Sequence, residues 1–338
     1  MNVSGYTIEI EPALTTIQKN GYKTIALQIP EGLKRSIFPV VDALKQKTNA
    51  TILVAADPCF GACDIADYEL KNLGVEFILH IGHTPIPDIQ KYCIPTMFLT
   101  ASSKLDITAV VIKALASLKG NKIGVLTTAQ HLHTLDSVVD ILHRHHFTAI
   151  LSKGDSRISQ KSQILGCNFS AATRIADTVD SFLFIGSGTF HPVGLLLSSK
   201  KPVIAADPYT NSVKTEELEE MKNIILRQRY AAILASQNAH RFGILIGLKQ
   251  GQQRRQLAIN LQQMLTSANK QFLLITQDEF SPMALLGFDL DCYVSTACPR
   301  IAIDDYVQYK KPIITPIELE IALGKRSWDE YVFDEILS

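Results

Sequence analysis

The sequence predicts an α/β protein made of three repeated parallel-sheet units around a pseudo-threefold axis. Three short β-rich runs each begin with a basic residue and lead through a turn into a helical pattern, and they start at near-equal spacing, at Lys23, Lys122 and Arg241. The runs are continuously apolar, which is typical of parallel strands covered by helices on both faces. Regular spacing favours triplication of one unit. The predicted units are 1–119, 120–238 and 239–338.

Each unit is expected to contain four strands, with a helix after the first. Apolar residues recur every three to four positions after each first strand, as one buried helix face requires. First strands are predicted at 23–29, 122–127 and 241–247, with helices at 37–44, 135–142 and 257–265. Second strands follow at 51–55, 148–151 and 271–275, third strands at 76–81, 181–185 and 292–295, and fourth strands at 95–99, 201–204 and 311–314. Helices at 106–118 and 215–235 are predicted to end the first two units.

Composition favours a soluble, cytoplasmic protein. The 338 residues include 33 basic and 33 acidic side chains, and this balance disfavours direct nucleic-acid binding, which usually needs a basic excess. No apolar stretch approaches the roughly 18 residues of a membrane helix, and residues 1–10 lack the pattern of a signal peptide. Six cysteines are too few for a disulfide framework, so these residues are expected to be buried, catalytic or metal-bound.

Three cysteines, one in each unit, are the candidate metal ligands. Cys63, Cys167 and Cys298 each follow a small residue in a loop. Cys63 and Cys298 come directly after predicted strands, and Cys167 comes just before a predicted helix at 170–177. Ligands of parallel α/β sheets bind beyond the carboxyl ends of the strands, so three units around one axis would direct these loops at a common space. Thiolates suit zinc or iron–sulfur clusters. Three ligands fit a [4Fe–4S] cluster with one open iron.

Other interpretations stay open on the residues alone. Each cysteine is individually compatible with a buried thiol in a turn. Zinc normally takes four ligands, and His83 or His191 would supply the fourth. Cys59 lies four residues before Cys63 and competes with it as a ligand, whereas packing accounts for Cys93 and Cys292. The repeat is also imperfect, because Cys63 and Cys167 precede the third strand of their units and Cys298 follows it.

Five short motifs lie along the chain: FGACD at 60–64, IGHT at 81–84, LGC at 165–167, ACPR at 297–300 and KPIITP at 311–316. Together they resemble the archaeal diphthamide biosynthesis family Dph2. The resemblance extends from about Ile25 to Leu323. The resemblance implies that Cys63, Cys167 and Cys298 bind the cluster. The chain lacks the Cys-x3-Cys-x2-Cys loop of ordinary radical S-adenosylmethionine enzymes, since position 66 is alanine.

The resemblance also implies a reaction. A homodimeric, non-standard radical S-adenosylmethionine enzyme would transfer a 3-amino-3-carboxypropyl group from S-adenosylmethionine to imidazole C2 of a histidine in translation elongation factor 2. This transfer is the first step of diphthamide biosynthesis, and methylthioadenosine is the by-product. The [4Fe–4S] cluster would need an electron from a donor that the sequence does not identify.

Loop residues at strand ends are the candidate anchors for S-adenosylmethionine. Glycines there allow backbone N–H groups to approach a ligand, and Arg300 is suited to bind a carboxylate. The candidates are Gln28, Glu31, Gly32, Gly186, Ser187, Gly188, Gly247, Lys249, Gln250 and Arg300.

Two other classes of function remain as alternatives. One is a dehydratase similar to quinolinate synthase, which also places three cysteines on an open-iron cluster within three α/β units. The other is a non-catalytic electron carrier or a zinc-stabilised interaction protein. The Pro-Arg pair after Cys298 and the run at 311–316 favour the transferase over the dehydratase.

Overall fold

The computed structural model of the chain describes residues 1–89 and 92–338. The strands are β1 Asn2–Val3, β2 Tyr6–Ile8, β3 Thr24–Gln28, β4 Thr51–Val54, β5 Phe77–Ile81, β6 Thr96–Leu99, β7 Ala101–Ser103, β8 Lys122–Thr127, β9 Thr148–Ile150, β10 Ser181–Ile185, β11 Val203–Asp207, β12 Ser212–Lys214, β13 Arg241–Gly247, β14 Gln271–Gln277, β15 Cys292–Ser295 and β16 Ile313–Ile314.

Helices flank these strands, and short 3₁₀ turns extend or separate several of them. The helices are α1 Glu11–Asn20, α2 Glu31–Lys34, α3 Phe38–Lys47, α4 Asp67–Lys71, α5 Thr108–Ala114, α6 Leu135–Arg144, α7 Ser170–Thr173, α8 Phe190–Ser199, α9 Glu216–Gln237, α10 Arg255–Ser267, α11 Pro282–Leu285, α12 Arg300–Ile303 and α13 Pro316–Ala322.

Three sheets with one common strand order confirm the predicted α/β class. The orders are β4-β3-β5-β6, β9-β8-β10-β11 with antiparallel β12 at the edge, and β14-β13-β15-β16. In each sheet the first strand of the unit pairs in parallel with the second and third strands, and the fourth strand lies beside the third. The chain therefore reverses direction across the sheet between the first and third strands, where ligands of such folds bind. The pseudo-threefold axis and the unit boundaries stay predictions.

Central strands are buried on both faces, but the edge strands β4 and β14 are not. All residues of β5, β10 and β15 are buried. In β14, by contrast, Leu273 and Leu274 are 46% and 48% exposed. Because successive side chains of a strand point to opposite faces, both faces of β14 are partly uncovered. The expectation that helices cover both faces of every strand is therefore wrong for this strand.

An N-terminal antiparallel sheet was not expected from the sequence. Strands β1, β2 and β7 form it, and Ile8 pairs with Ala101 across more than ninety residues of chain. Strands of two or three residues carry too little periodicity to be recognised, and pairing with β7 is decided by tertiary contacts. Helix α1 follows this hairpin and ends at Gly21, whose φ of 68° suits a left-handed C-cap.

Helix α9 joins the second sheet to the third. Acidic residues occupy its first turn, where they interact favourably with the helix dipole. Its buried Arg229 pairs with Glu318 of α13 at 2.6 Å, and both side chains are fully buried. Helix α13 begins at Pro316, after a capping box formed by Thr315 and Glu318. The Glu318 carboxylate therefore caps helix α13 and also pairs with Arg229 of helix α9.

Candidate metal centre

Cys63 lies in the loop between β4 and α4, against which the loop after β13 packs. The backbone N–H of Gly251 donates to the carbonyl oxygen of Cys63 at 3.2 Å. The side-chain amide of Gln252 donates to the Cys63 Sγ atom at 3.5 Å. A Cβ atom at position 251 would lie 2.4 Å from the Cα atom of Cys63, so this close approach requires glycine. The third unit thus positions the cysteine of the first.

Cys167 lies in a turn between β9 and α7. The C-terminal segment, residues 331–338, supports this turn. The N–H of Ile336 donates to the carbonyl oxygen of Cys167 at 2.8 Å. The adjacent Asn168 is fully buried, and its amide donates to the carboxylate of Asp155 at 3.0 and 3.1 Å and to the carbonyl oxygen of Ile336 at 3.0 Å. A buried amide with its donors satisfied fixes the turn that carries Cys167.

Cys298 follows β15, and the side chain of Arg254 supports its loop. The guanidinium donates from Nε to the carbonyl oxygen of Thr296 at 2.7 Å and from Nη2 to that of Ala297 at 3.0 Å. The same guanidinium pairs with the carboxylate of Asp334. The C-terminal segment therefore supports the loops of two cysteines.

The three thiols are neighbours at one partly exposed site. Burial, followed by the charges of Cys298 and Cys63, raises the pKa of Cys167 well above its usual value. Burial, followed by the charge of Cys63, raises the pKa of Cys298 to about 12. Burial also raises the pKa of Cys63, while the amide of Gln252 opposes that rise. The structure brings together the three cysteines that the sequence singled out.

A buried cation, Arg157, lies beside these thiols. Its Nη2 atom donates to the carbonyl oxygen of Gly251 at 2.8 Å, and the residue is 8% exposed. Its Nε atom is buried and has no hydrogen-bond partner among the described residues. Burial raises the pKa of both Cys63 and Cys167, and the positive charge of Arg157 opposes that rise. A metal group of net negative charge with thiolate ligands fits this donor set, because the cation offsets its charge.

The predicted anchors after β3 lie in different environments. Gln28 is 3% exposed; its amide donates to the carbonyl oxygen of Asp64 at 2.6 Å, and its Oε1 atom accepts from the N–H of Ala66 at 3.3 Å. Glu31 and Gly32 are exposed in the first turn of α2. The Gln28 side chain is thus engaged within the protein, whereas the other two residues face solvent.

Two of the three predicted anchors after β10 are exposed to solvent. Ser187 and Gly188 are exposed, whereas Gly186 is buried at the end of the strand. The N–H of Gly188 lies 3.4 Å from an oxygen of the Asp207 carboxylate. The loop therefore presents exposed backbone next to the switch between the first and third strands of the second sheet.

The predicted anchors after β13 contact the first unit. Lys249 forms a buried ion pair with Asp64 at 2.8 Å, and the amide of Gln250 donates to the carboxylate of Asp67 at 3.2 Å. A Cβ atom at Gly247 would lie 3.1 Å from that of Ala297 in the Cys298 loop. These three positions connect the loops that carry Cys63 and Cys298.

Arg300 lies next to Cys298. Its guanidinium stacks on the ring of Phe190, with the Cζ atom 3.4 Å from the ring centroid. The Nη2 atom donates to the carboxylate of Asp304 at 2.9 Å. Its charge lowers the pKa of Cys298, against the larger effect of burial. The side chain is positioned near the cluster of thiols, with one face covered by an aromatic ring.

Cys59 faces two histidines. It is 5% exposed, and its Sγ atom lies 3.9 Å from Nε2 of His80. His83 lies beside His80, with its Nδ1 atom 2.9 Å from His80 Nε2. His191, the other histidine weighed as a zinc ligand, packs against Phe190 with ring centroids 4.8 Å apart.

Sequence reasoning missed most of the residues that position the cysteines. Arg157, Gln252, Arg254, Asp334 and Ile336 carry no recognised motif, and each acts on a loop far away in the chain. The weak available signal was that the first three follow predicted strands, where ligand-binding loops occur.

A family model described as diphthamide synthesis protein matches residues 29–332. The chain belongs to the diphthamide synthesis protein family. This confirms the resemblance seen in the motifs at 60–64, 81–84, 165–167, 297–300 and 311–316. Among the described residues, no helix combines the length and apolarity needed to cross a membrane.

Relatives within the diphthamide synthesis family come from archaea and eukaryotes. The 2-(3-amino-3-carboxypropyl)histidine synthase of Pyrococcus horikoshii is 36% identical over 96% of this chain and 92% of its own length. That of Methanocaldococcus jannaschii is 31% identical over 98% and 93%, respectively. The crystal structure of Dph2 from Pyrococcus horikoshii with a 4Fe-4S cluster matches with a TM-score of 0.90 and 34% identity, over 100% of this chain and 95% of that one.

Proposed function

We propose that this protein is a 2-(3-amino-3-carboxypropyl)histidine synthase. It transfers the 3-amino-3-carboxypropyl group from S-adenosylmethionine to imidazole C2 of a histidine in translation elongation factor 2, the first step of diphthamide biosynthesis. The observation that supports this function best is the convergence of Cys63, Cys167 and Cys298, from three units, beside the buried cation Arg157. The names of the matched relatives support the same reaction.

In this proposal Cys63, Cys167 and Cys298 bind a [4Fe–4S] cluster. When bound, the cluster supplies the low-potential electron for a radical cleavage of a carbon–sulfur bond in S-adenosylmethionine. Arg157 and Arg254 offset the negative charge of the thiolates, and the Gln252 amide donates to one sulfur. Charge, hydrogen bonds and exposure set the reduction potential of such a group.

Residues at the strand ends bind the co-substrate. The exposed loop of Gly186, Ser187 and Gly188 offers backbone N–H groups, and Arg300 offers a cation for the carboxylate. Gln28, Lys249 and Gln250 are engaged with protein groups, so their part in the proposal is to shape the site around Cys63. Glu31, Gly32 and Gly247 complete the proposed set.

The proposal includes a homodimer in the cytoplasm, with elongation factor 2 as protein substrate and a separate electron donor. The exposed Leu273 and Leu274 of edge strand β14 support an assembly, because an uncovered apolar strand edge favours pairing with another chain. Light scattering of the purified protein at several concentrations tests the dimer. A strictly monomeric mass would contradict this part of the proposal.

One experiment tests the reaction. The protein is purified without oxygen, reduced and incubated with S-adenosylmethionine and elongation factor 2, and both proteins and small molecules are analysed by mass spectrometry. The expected result is a gain of one aminocarboxypropyl group on the factor, with release of methylthioadenosine. An unmodified factor with intact S-adenosylmethionine would overturn the proposal, and so would quinolinate-type dehydration of a small acid.

A further inference from the structure

We propose that Cys59, His80 and His83 form a second metal site, separate from the three-cysteine centre, and that it binds Zn²⁺. One potential ligand atom from each residue lies within 4.8 Å of the other two. Cys59 and His80 are buried, and His83 is half-buried. A thiolate and two imidazoles are the donors that zinc prefers, whereas magnesium and calcium prefer oxygen.

The backbone places these three side chains together. His80 lies near the carboxyl end of the buried strand β5, and Cys59 lies in the loop after β4. Gly82 has a φ of 96°, and this left-handed turn allows the chain to place His83 beside His80. All three ligands belong to the first sheet and its loops, so the site does not depend on how the three units assemble.

A buried amide orients His80 as a metal ligand. The Nδ1 atom of His80 lies 3.3 Å from Oε1 of Gln28, an atom that can only accept. His80 therefore carries its proton on Nδ1 and directs the lone pair of Nε2 towards Cys59 and His83. Gln28 is itself held by the carbonyl oxygen of Asp64 and the N–H of Ala66. Such support from a second hydrogen-bonding group is characteristic of metal-bound histidines.

The distances nearly match a tetrahedral zinc site. Zinc bonds of about 2.0–2.1 Å to nitrogen and about 2.3 Å to sulfur separate two nitrogens by about 3.3 Å and nitrogen from sulfur by about 3.6 Å. The observed separations are 2.9 Å between His80 Nε2 and His83 Nδ1, and 3.9 Å between His80 Nε2 and Cys59 Sγ. The third separation, between Cys59 Sγ and a ring nitrogen of His83, is at most 4.8 Å. Shifts of up to about 1 Å would complete the geometry and leave a fourth position for water.

This site has a consequence for the neighbouring centre. Cys59 precedes Cys63 by four residues on the same loop, between β4 and α4. With Cys59 and the histidines bound to zinc, the loop that carries Cys63 is anchored at a second point. Zinc also withdraws Cys59 from competition for iron.

The test uses the full-length protein, produced with added zinc and purified without oxygen. Zinc and iron are counted by plasma mass spectrometry, and Co²⁺ replaces zinc as a spectroscopic probe. We expect about one zinc per chain, and a sulfur-to-cobalt charge-transfer band that disappears in Cys59→Ser. His83→Asn should weaken Co²⁺ binding more than tenfold, and Gln28→Leu should weaken it roughly 10- to 100-fold. Cys93→Ser is the matched control and should bind normally.

A variant with Cys63, Cys167 and Cys298 all changed to serine separates the two centres. It should lose iron and retain zinc, whether or not the transferase activity is established. Three results would each overturn the proposal: a wild-type protein without zinc, zinc that is lost with the three serines, or a cobalt band that survives Cys59→Ser when the three serines are also present. Thermal unfolding of each variant shows whether it is folded. If Cys59→Ser does not fold, His83→Asn replaces it in the test.

Discussion

Arg254 and Asp334 form a two-point ion pair that joins the Cys298 loop to the C-terminal segment. The Nη1–Oδ1 and Nη2–Oδ2 distances are 2.8 and 2.7 Å, and the side chains are 11% and 6% exposed. Arg254 also donates to two carbonyl groups just before Cys298. Two residues later in the segment, Ile336 donates to the carbonyl oxygen of Cys167. One ion pair therefore connects the supports of two cysteine loops.

Asp334→Ala should reduce stability and iron content together. Removal of one partner leaves the Arg254 charge buried and uncompensated, which typically costs about 3–5 kcal/mol. Urea unfolding measures the stability, and iron analysis measures the occupancy of the centre. Asp289→Ala removes the exposed partner of Arg241 and is the matched control. Equal iron content in Asp334→Ala and wild type would show that the ion pair does not support the centre.

Gly251→Ala should displace the Cys63 loop. The new Cβ atom would lie 2.4 Å from the Cα atom of Cys63, and backbone atoms cannot yield as a flexible side chain does. Overpacking of this kind typically costs about 1–3 kcal/mol. The control is Gly287→Ala, because a Cβ atom at position 287 meets no atom within 4 Å. Iron content and urea unfolding are measured, and equal results for the two variants would refute the assigned role.

Cys63→Ala, Cys167→Ala and Cys298→Ala should each lose transferase activity and most of the visible absorbance of the cluster. Each variant removes one of three thiolates from the same site. Cys93→Ser should keep both properties. Absorbance and electron paramagnetic resonance after anaerobic reconstitution provide the measurement. A normal cluster in Cys63→Ala would contradict the assignment of Cys63 and would point to Cys59 as the ligand.

Arg157→Gln should make the reduction potential of the bound cluster more negative. Loss of a buried positive charge near Cys63 and Cys167 disfavours the addition of an electron. A spectroscopic redox titration of the reconstituted protein measures this potential. Arg144→Gln, at the exposed end of α6, is the control for a general charge effect. An unchanged or more positive potential would contradict the placement of Arg157 beside the cluster.

The lowered pKa of His131 should make the free energy of unfolding fall as the pH falls from about 6.5 to about 4. Burial, with a smaller contribution from the charge of His133, lowers the pKa of His131 to about 4, while Asp207 opposes this shift. The unfolded chain binds the proton first, so the stabilisation is complete above about pH 6.5 and is lost towards pH 4. The expected loss is roughly 3 kcal/mol.

Urea unfolding across this pH range, for wild type and His131→Gln, isolates the contribution of His131. The other buried histidines titrate in both proteins, and their effects cancel in the difference. Parallel pH profiles for the two proteins would contradict the predicted protonation behaviour.

Local patterns predicted the elements better than the contacts between them. The strands at 122–127, 181–185, 241–247 and 292–295 were predicted at their observed bounds. Helix α10 instead spans Arg255–Ser267, beyond the predicted 257–265, because polar residues at helix ends do not contribute to an apolar period. The N-terminal sheet and the exposure of β14 depend on which segments meet, and no local pattern encodes that.

For the site, the sequence alone singled out Cys63, Cys167 and Cys298 and the family to which the chain belongs. These follow from residue chemistry, from motifs and from the rule that ligands bind at the carboxyl ends of parallel strands. Only the tertiary structure revealed Arg157, Gln252, the Arg254–Asp334 pair and the facing of Cys59 towards His80 and His83. These arrangements arise from loops that are remote in the chain and are brought together by packing. Apolar periodicity encodes which face of an element is buried, but not which buried partner it meets.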